Sequence, residues 1–293
     1  MTHHLIIIFL MTIMLSIFAD ASQKTDIKKI LNEIPIKDQE NLEYFFRHMV
    51  AYQNFGYVIF GKKPMAWVQL HMYSIHFDEV QSIFKYNRFL NGYNTWLKYQ
   101  HLFPMENYLF RSYLHEYDFS THMIIFLNRK KTLEIIQNNL SFFKEKLGSS
   151  ITPKKILDDL ETKDNIIENV FHGNHDLLGI ILGFGVHNSL QFQKRYYLFR
   201  NKRIPLSYDY KVMKKVQEFN ARILDKIYFK LTGIPHENKK LFFINLPYFA
   251  QDPQHPESIQ IQENYFAEQK LISEIYSQGK FLEITLEALI RKD

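Results

Sequence analysis

The chain has 293 residues, 46% hydrophobic and 23% charged, with a formal net charge of +5. That balance excludes a disordered polyelectrolyte, and a chain this long can bury about 75% of its unfolded surface. It has no cysteine, which excludes disulfides, thiolate metal sites, a thiol nucleophile and lipidation at an N-terminal cysteine.

Residues 5–18 (LIIIFLMTIMLSIF) carry no charge and run into Ala19-Asp20-Ala21. An apolar segment followed by small residues in an Ala-x-Ala arrangement predicts a signal peptide, residues 1–21, cleaved after Ala21. The segment Met1–His4 lacks Lys and Arg, so the free amine supplies its positive charge. As a helix, residues 5–18 reach roughly 21 Å, short of the ~30 Å of bilayer hydrocarbon, which makes an uncleaved anchor the weaker alternative. Export without cysteine points to a bacterium, with the periplasm or the medium as destination. Residues 22–293 are expected to form a single globular domain, since Gly148-Ser149-Ser150 is too short for a domain linker.

In chain order, Asp38 is expected to cap a helix in which Leu42, Phe45, Phe46, Met49 and Val50 recur at helical spacing up to Gly56. Residues 57–60 and 65–70 flank the turn Gly61-Lys62-Lys63-Pro64 and read as strand–turn–strand. A long helix is predicted from Asp78 to about Gln100, a hairpin over 107–115 and 121–127, and a helix over 130–147 that stops at Gly148. Thr152-Pro153 opens another helix. The stripe Val212, Val216, Phe219, Ile223 and Ile227 predicts a helix over 209–232, followed by a strand at 240–246. Helices at about 257–278 and 281–291 close the chain. The sum is α+β, mainly helical with a small antiparallel sheet built from hairpins. The 26 Phe and 18 Tyr rise together with Ile, Lys and Asn, as in AT-rich coding sequence, which accounts for them before any sugar- or ring-binding surface does.

His172-Gly173-Asn174-His175-Asp176 is the most suggestive string for chemistry. Its last four residues resemble the Gly-Asn-His-Asp/Glu box of the calcineurin-like metallophosphoesterases, in which a two-metal centre clamps an in-line displacement. The Asp-x-His, Gly-Asp-x-x-Asp and Gly-His-x-His boxes of that fold are missing from the sequence. The same letters suit a helix start, with Asn174 as cap and Asp176 in the first turn, leading into a buried helix over 177–186. A single metal held by His172, His175 and Asp176, or by His115, Glu116 and His122, is the alternative, and would support a metal-dependent hydrolase. No cofactor is predicted, and no serine-nucleophile or phosphate-loop motif occurs.

Lys194, Arg195, Arg200, Lys202, Arg203, Lys211, Lys214 and Lys215 cluster with Tyr196, Tyr197, Phe199, Tyr208 and Tyr210. Basic residues interleaved with aromatics suit an anionic envelope component, a membrane surface or a host protein, and export makes nucleic acid the least fitting partner. Within this segment Lys194, Arg195, Arg200, Lys202, Arg203, Lys214 and Lys215 are the candidate binding residues.

Three stretches, Phe55–Pro64, His175–Gly185 with Gln193-Lys194-Arg195, and Phe281–Leu289, together resemble a family of uncharacterised exported proteins and lipoproteins of intracellular bacteria such as chlamydiae. The resemblance implies a bacterial envelope or host-facing setting and transfers no functional residue. This chain differs from the lipidated members in having no cysteine. The expectation is an exported, non-catalytic binding or scaffolding protein, with the metal-dependent hydrolase as its rival.

Overall fold

A computed structural model describes residues 27–71, 80–115, 118–202, 244–247, 252 and 254–291. The helices are α1 (Ile27–Glu33), α2 (Ile36–Tyr52), α3 (Phe55–Ile59), α4 (Val80–Tyr99), α5 (Arg129–Asn138), α6 (Leu140–Leu147), α7 (Pro153–Thr162), α8 (Ile166–Asn169), α9 (His175–Ile181), α10 (Val186–Lys202), α11 (Pro256–Ser277) and α12 (Phe281–Ile290). The strands are β1 (Met65–His71), β2 (Tyr108–His115) and β3 (Asp118–Asn128). They form an antiparallel sheet in the order β1-β3-β2. The fold is therefore mainly helical α+β with a small antiparallel sheet, as the sequence led one to expect.

The sheet divides two hydrophobic cores. Successive side chains of a strand point to opposite faces, so Ile124 and Phe126 of β3 enter one core while Met123, Ile125 and Leu127 enter the other. The neighbouring strands follow the register: Ala66 and Phe110 flank Phe126, whereas Met65 and Leu109 flank Leu127. Because both faces of β3 are covered over Met123–Leu127, that stretch is apolar without alternation. The first core is aromatic, built by α2, α3, α4, α11 and α12. Phe55 stacks on Phe126 at 4.2 Å, and Phe46 meets Trp96 edge-on at 5.0 Å. The second core is mostly aliphatic and is contributed by α5–α9.

Several local expectations change. Residues 57–59 are helical and Phe60 is the C-cap, rather than extended: α3 has all five residues buried, so its aromatic and β-branched composition reflects burial on every side. Lys131 Nζ takes the carbonyls of Val58 and Gly61 at 2.7 and 2.6 Å, closing the C-terminal end of this short helix. Asp38 does not cap α2, which follows Pro35; it accepts Tyr99 Oη at 2.7 Å and Lys98 Nζ at 3.0 Å. These bonds, that from Tyr99 foremost, hold its carboxyl below the ordinary range. The helix expected over 130–147 is two helices, broken where Asn139 Nδ2 donates back to Ile135 O at 2.8 Å. The buried helix expected over 177–186 stops at Ile181, because Gly183 and Gly185 both adopt φ of 80° before α10 begins. Thr152 caps α7 as expected, accepting Lys155 N at 3.1 Å. The expected helix 209–232 and the proposed signal segment lie outside the described residues.

Candidate functional site

The two groups singled out from sequence meet around α9 and α10. His175 opens α9, and its ring lies 4.1 Å from that of Tyr196 and 6.2 Å from that of Phe192, both on α10. Lys194 and Arg195 project into solvent from the same helix. Phe192 and Tyr197 are 43% and 46% exposed, which is high for rings of this size. The backbone of Arg200 and Lys202 belongs to the end of α10; Arg203, Lys214 and Lys215 lie outside the described residues.

The proposed metal-ligand string is divided among separate tasks. His172 is exposed in the left-handed region at φ 51°, next to Gly173 at 76°, and these two turn the chain into α9. Asn174 stands at the expected cap position, but its Nδ2 donates to Phe171 O at 2.7 Å instead of capping. Asp176 is fully buried. Its Oδ1 accepts the Leu177 amide at 2.9 Å, and its Oδ2 lies 2.9 Å from Lys146 Nζ. Buried carboxylates need such partners. Among the described residues, no three His, Asp or Glu side chains gather where one metal ion could bind. Of the alternative group, His122 lies edge-on to Tyr93 at 5.9 Å, with burial lowering its pKa. Only the backbone of His115 is described, and Glu116 lies outside the described residues.

The densest set of buried ionisable groups lies elsewhere, and sequence reasoning missed it. The turn after α3 brings Lys62, Lys63 and Pro64 against α11, beside a half-open cavity of about 110 Å³. Lys63 is 2% exposed. Its ammonium donates to Leu182 O, the C-cap carbonyl of α9, and lies 4.3 Å from the Phe184 ring centre and 5.7 Å from that of Tyr265. Burial pushes its pKa down to about 7, with the charge of Glu268 partly opposing. Glu268 is 8% exposed. Its Oε1 accepts the Lys62 amide at 2.8 Å, while its Oε2 is buried without a hydrogen-bond partner. Burial raises the pKa of Glu268, against the Lys62 amide and the charges of Lys131, Lys62 and Lys63.

The surrounding phenols complete the group. Tyr57 crosses Tyr265 edge-on at 5.4 Å, and its hydroxyl is buried without a partner. Tyr265 Oη donates to Gly183 O at 3.2 Å. Burial first, and then the charge of Glu268, raises both phenol pKa values. The amine is shifted toward neutrality and the carboxyl is raised beside one cavity, whereas both phenols are moved further from neutral pH and keep their protons. The one signal available in sequence was Glu268 itself, which occupies the apolar stripe Ile261, Tyr265, Ile272 and Tyr276 of α11, where a carboxylate needs a reason to be.

Among the described residues, no helix is long and apolar enough to cross a membrane. No family model, no curated protein and no solved structure matches this chain.

Proposed function

We propose that this chain is an exported bacterial protein that docks on an anionic lipid surface of the envelope through α10, as a binding or scaffolding protein rather than an enzyme. The observation that carries the reading is the exposure of Phe192 and Tyr197 on the helix that also presents Lys194 and Arg195 to solvent. Aromatic rings favour the headgroup level of a bilayer, and lysine or arginine near an anionic surface contributes about 1 kcal/mol each. The apolar segment 5–18 with Ala19-Asp20-Ala21 supports export, and the further basic residues up to Lys215 extend the positive charge in sequence.

Co-sedimentation of the purified protein with vesicles of phosphatidylglycerol and phosphatidylcholine, against phosphatidylcholine alone, tests the reading. Binding should require the anionic lipid, weaken as salt rises, and fall several-fold in a Lys194→Glu/Arg195→Glu variant. Equal binding of variant and parent, or no preference for the anionic lipid, would overturn it. Export is tested separately, by intact mass of the native product, which should lack residues 1–21.

A further inference from the structure

We propose that His187 and His255 form an acid-sensitive latch: the stacked imidazoles hold the start of α10 against the start of α11 while they share at most one extra proton, and a second proton parts them. This goes beyond the lipid-surface reading and does not rest on it, since the latch works within the chain and needs no membrane.

The two rings are parallel to within 1°, with centres 3.6 Å apart. Each stands at a helix start. His255 is the N-cap of α11, and its Nδ1 accepts the Glu257 amide at 3.3 Å, so that nitrogen carries no proton in the closed form. His187 is the second residue of α10, and its Nε2, buried without a hydrogen-bond partner, lies 3.5 Å from Asp252 Oδ2. Two acids face the pair. One is Asp252; the other is Glu257, whose carboxylate is already engaged by the Val186 and His187 amides at 2.9 and 2.8 Å. Asn188 Oδ1 ties the same two helix starts together, accepting Ser258 Oγ at 2.7 Å and the Asp252 amide at 3.3 Å.

The first and second protons meet different surroundings. A first proton fits on His187 Nε2 beside Asp252, and an imidazolium stacks readily on a neutral ring. A second must go to His255 Nδ1, where it takes the lone pair that caps α11. It also places a positive charge at the N-terminal end of a 22-residue helix, whose dipole disfavours a cation. Finally, it sets two like charges face to face at the 3.6 Å ring separation. Glu257 cannot turn to offset that charge without abandoning the first amides of α10. The closed latch therefore holds one proton fewer than the open one, and its population falls as pH falls. Histidine is the side chain that ordinarily changes charge between pH 5 and 8.

The test is the distance between nitroxide labels on Lys194→Cys and Gln260→Cys, two exposed positions in a chain that has no cysteine of its own. Pulsed electron spin resonance should give one distribution at pH 7.5. At pH 5.0 a second, longer distance should appear, its population at least fivefold higher than at pH 7.5. His255→Asn keeps an N-cap acceptor that takes up no proton, and should hold the pH 7.5 distribution at pH 5.0. That variant retains His48, so a general loosening of the first core by acid would still show in it. An unchanged distribution in the parent, or equal acid opening of parent and His255→Asn, would overturn the proposal. Imidazole nitrogen resonances of the unsubstituted protein need no variant: His255 should show a bare Nδ1 at pH 7.5, and the pair should take up protons in two separate steps. Independent uptake by the two rings would equally sink the latch.

Discussion

Gly61 and Glu268 occupy one another's space: the Glu268 carboxylate lies where any side chain at Gly61 would begin, with the Tyr57 carbonyl 2.9 Å from the same point. Helix α11 can therefore approach the turn after α3 only because residue 61 has no Cβ. Gly61→Ala should destabilise the protein by about 2–3 kcal/mol, the usual cost of overpacking. Shortening the acid in Gly61→Ala/Glu268→Ala should recover part of that loss. Denaturant unfolding of the two variants and the parent measures both effects, and identical stability of Gly61→Ala and parent would contradict the close approach.

Lys146 neutralises a carboxylate that water does not reach. Lys146→Met should cost about 3 kcal/mol, because it strands the Asp176 charge in the second core. Asp176→Asn placed in the Lys146→Met background should restore most of the stability, since the amide needs no counter-charge. A double-mutant cycle by chemical denaturation gives the coupling.

His48 sits between the rings of Tyr52 and Phe89, at 5.1 and 4.4 Å, and burial pushes its pKa down to about 4. The unfolded chain binds a proton there near pH 6.5, so between these values the unfolded state holds more protons than the folded one. The contribution to stability is complete above pH 6.5 and is lost as pH falls toward 4, by up to about 3 kcal/mol. His48→Phe should flatten that part of the stability–pH curve. Unfolding midpoints from pH 4 to 7 for variant and parent check it; parallel curves would refute the assignment.

Arg129 ties the approach to β2 to α7. Its Nη1 donates to the carbonyls of Met105, Glu106 and Tyr108 at 3.0, 2.8 and 2.6 Å, while its Nε reaches Glu161 at 2.7 Å. A lysine cannot spread donors in that fork. Arg129→Lys should cost about 2 kcal/mol. Amide hydrogen exchange should locate the loosening at residues 103–108, and unchanged protection there would rule out the anchoring role.

The elements most legible in sequence are those whose local signals agree with their surroundings. The β2–β3 hairpin, α4, α7, α11 and α12 emerge close to expectation because periodicity and caps coincide with one buried face. Residues 57–60 misled because burial on all sides of α3 selects the same residue types as a strand. The run 177–186 misled because two glycines with positive φ interrupt an apolar stretch that periodicity alone reads as continuous. The basic residues at 194–195 and their aromatic neighbours were visible because they are local. The Lys63–Glu268 group was not, since the Lys62 amide and the Glu268 carboxylate that meet there stand 206 positions apart. Only the fold could bring them together.

A central strand whose alternate side chains serve different cores makes the two halves of the molecule depend on each other. Sliding β3 by one position would send Phe126 among the aliphatic residues of α5–α9 and Ile125 among the aromatic rings. Among the described residues, neither half has a sheet of its own to fall back on. Heating should accordingly give one cooperative melting event, and proteolytic fragments ending before Asp118 or beginning after Asn128 should fail to hold tertiary structure alone.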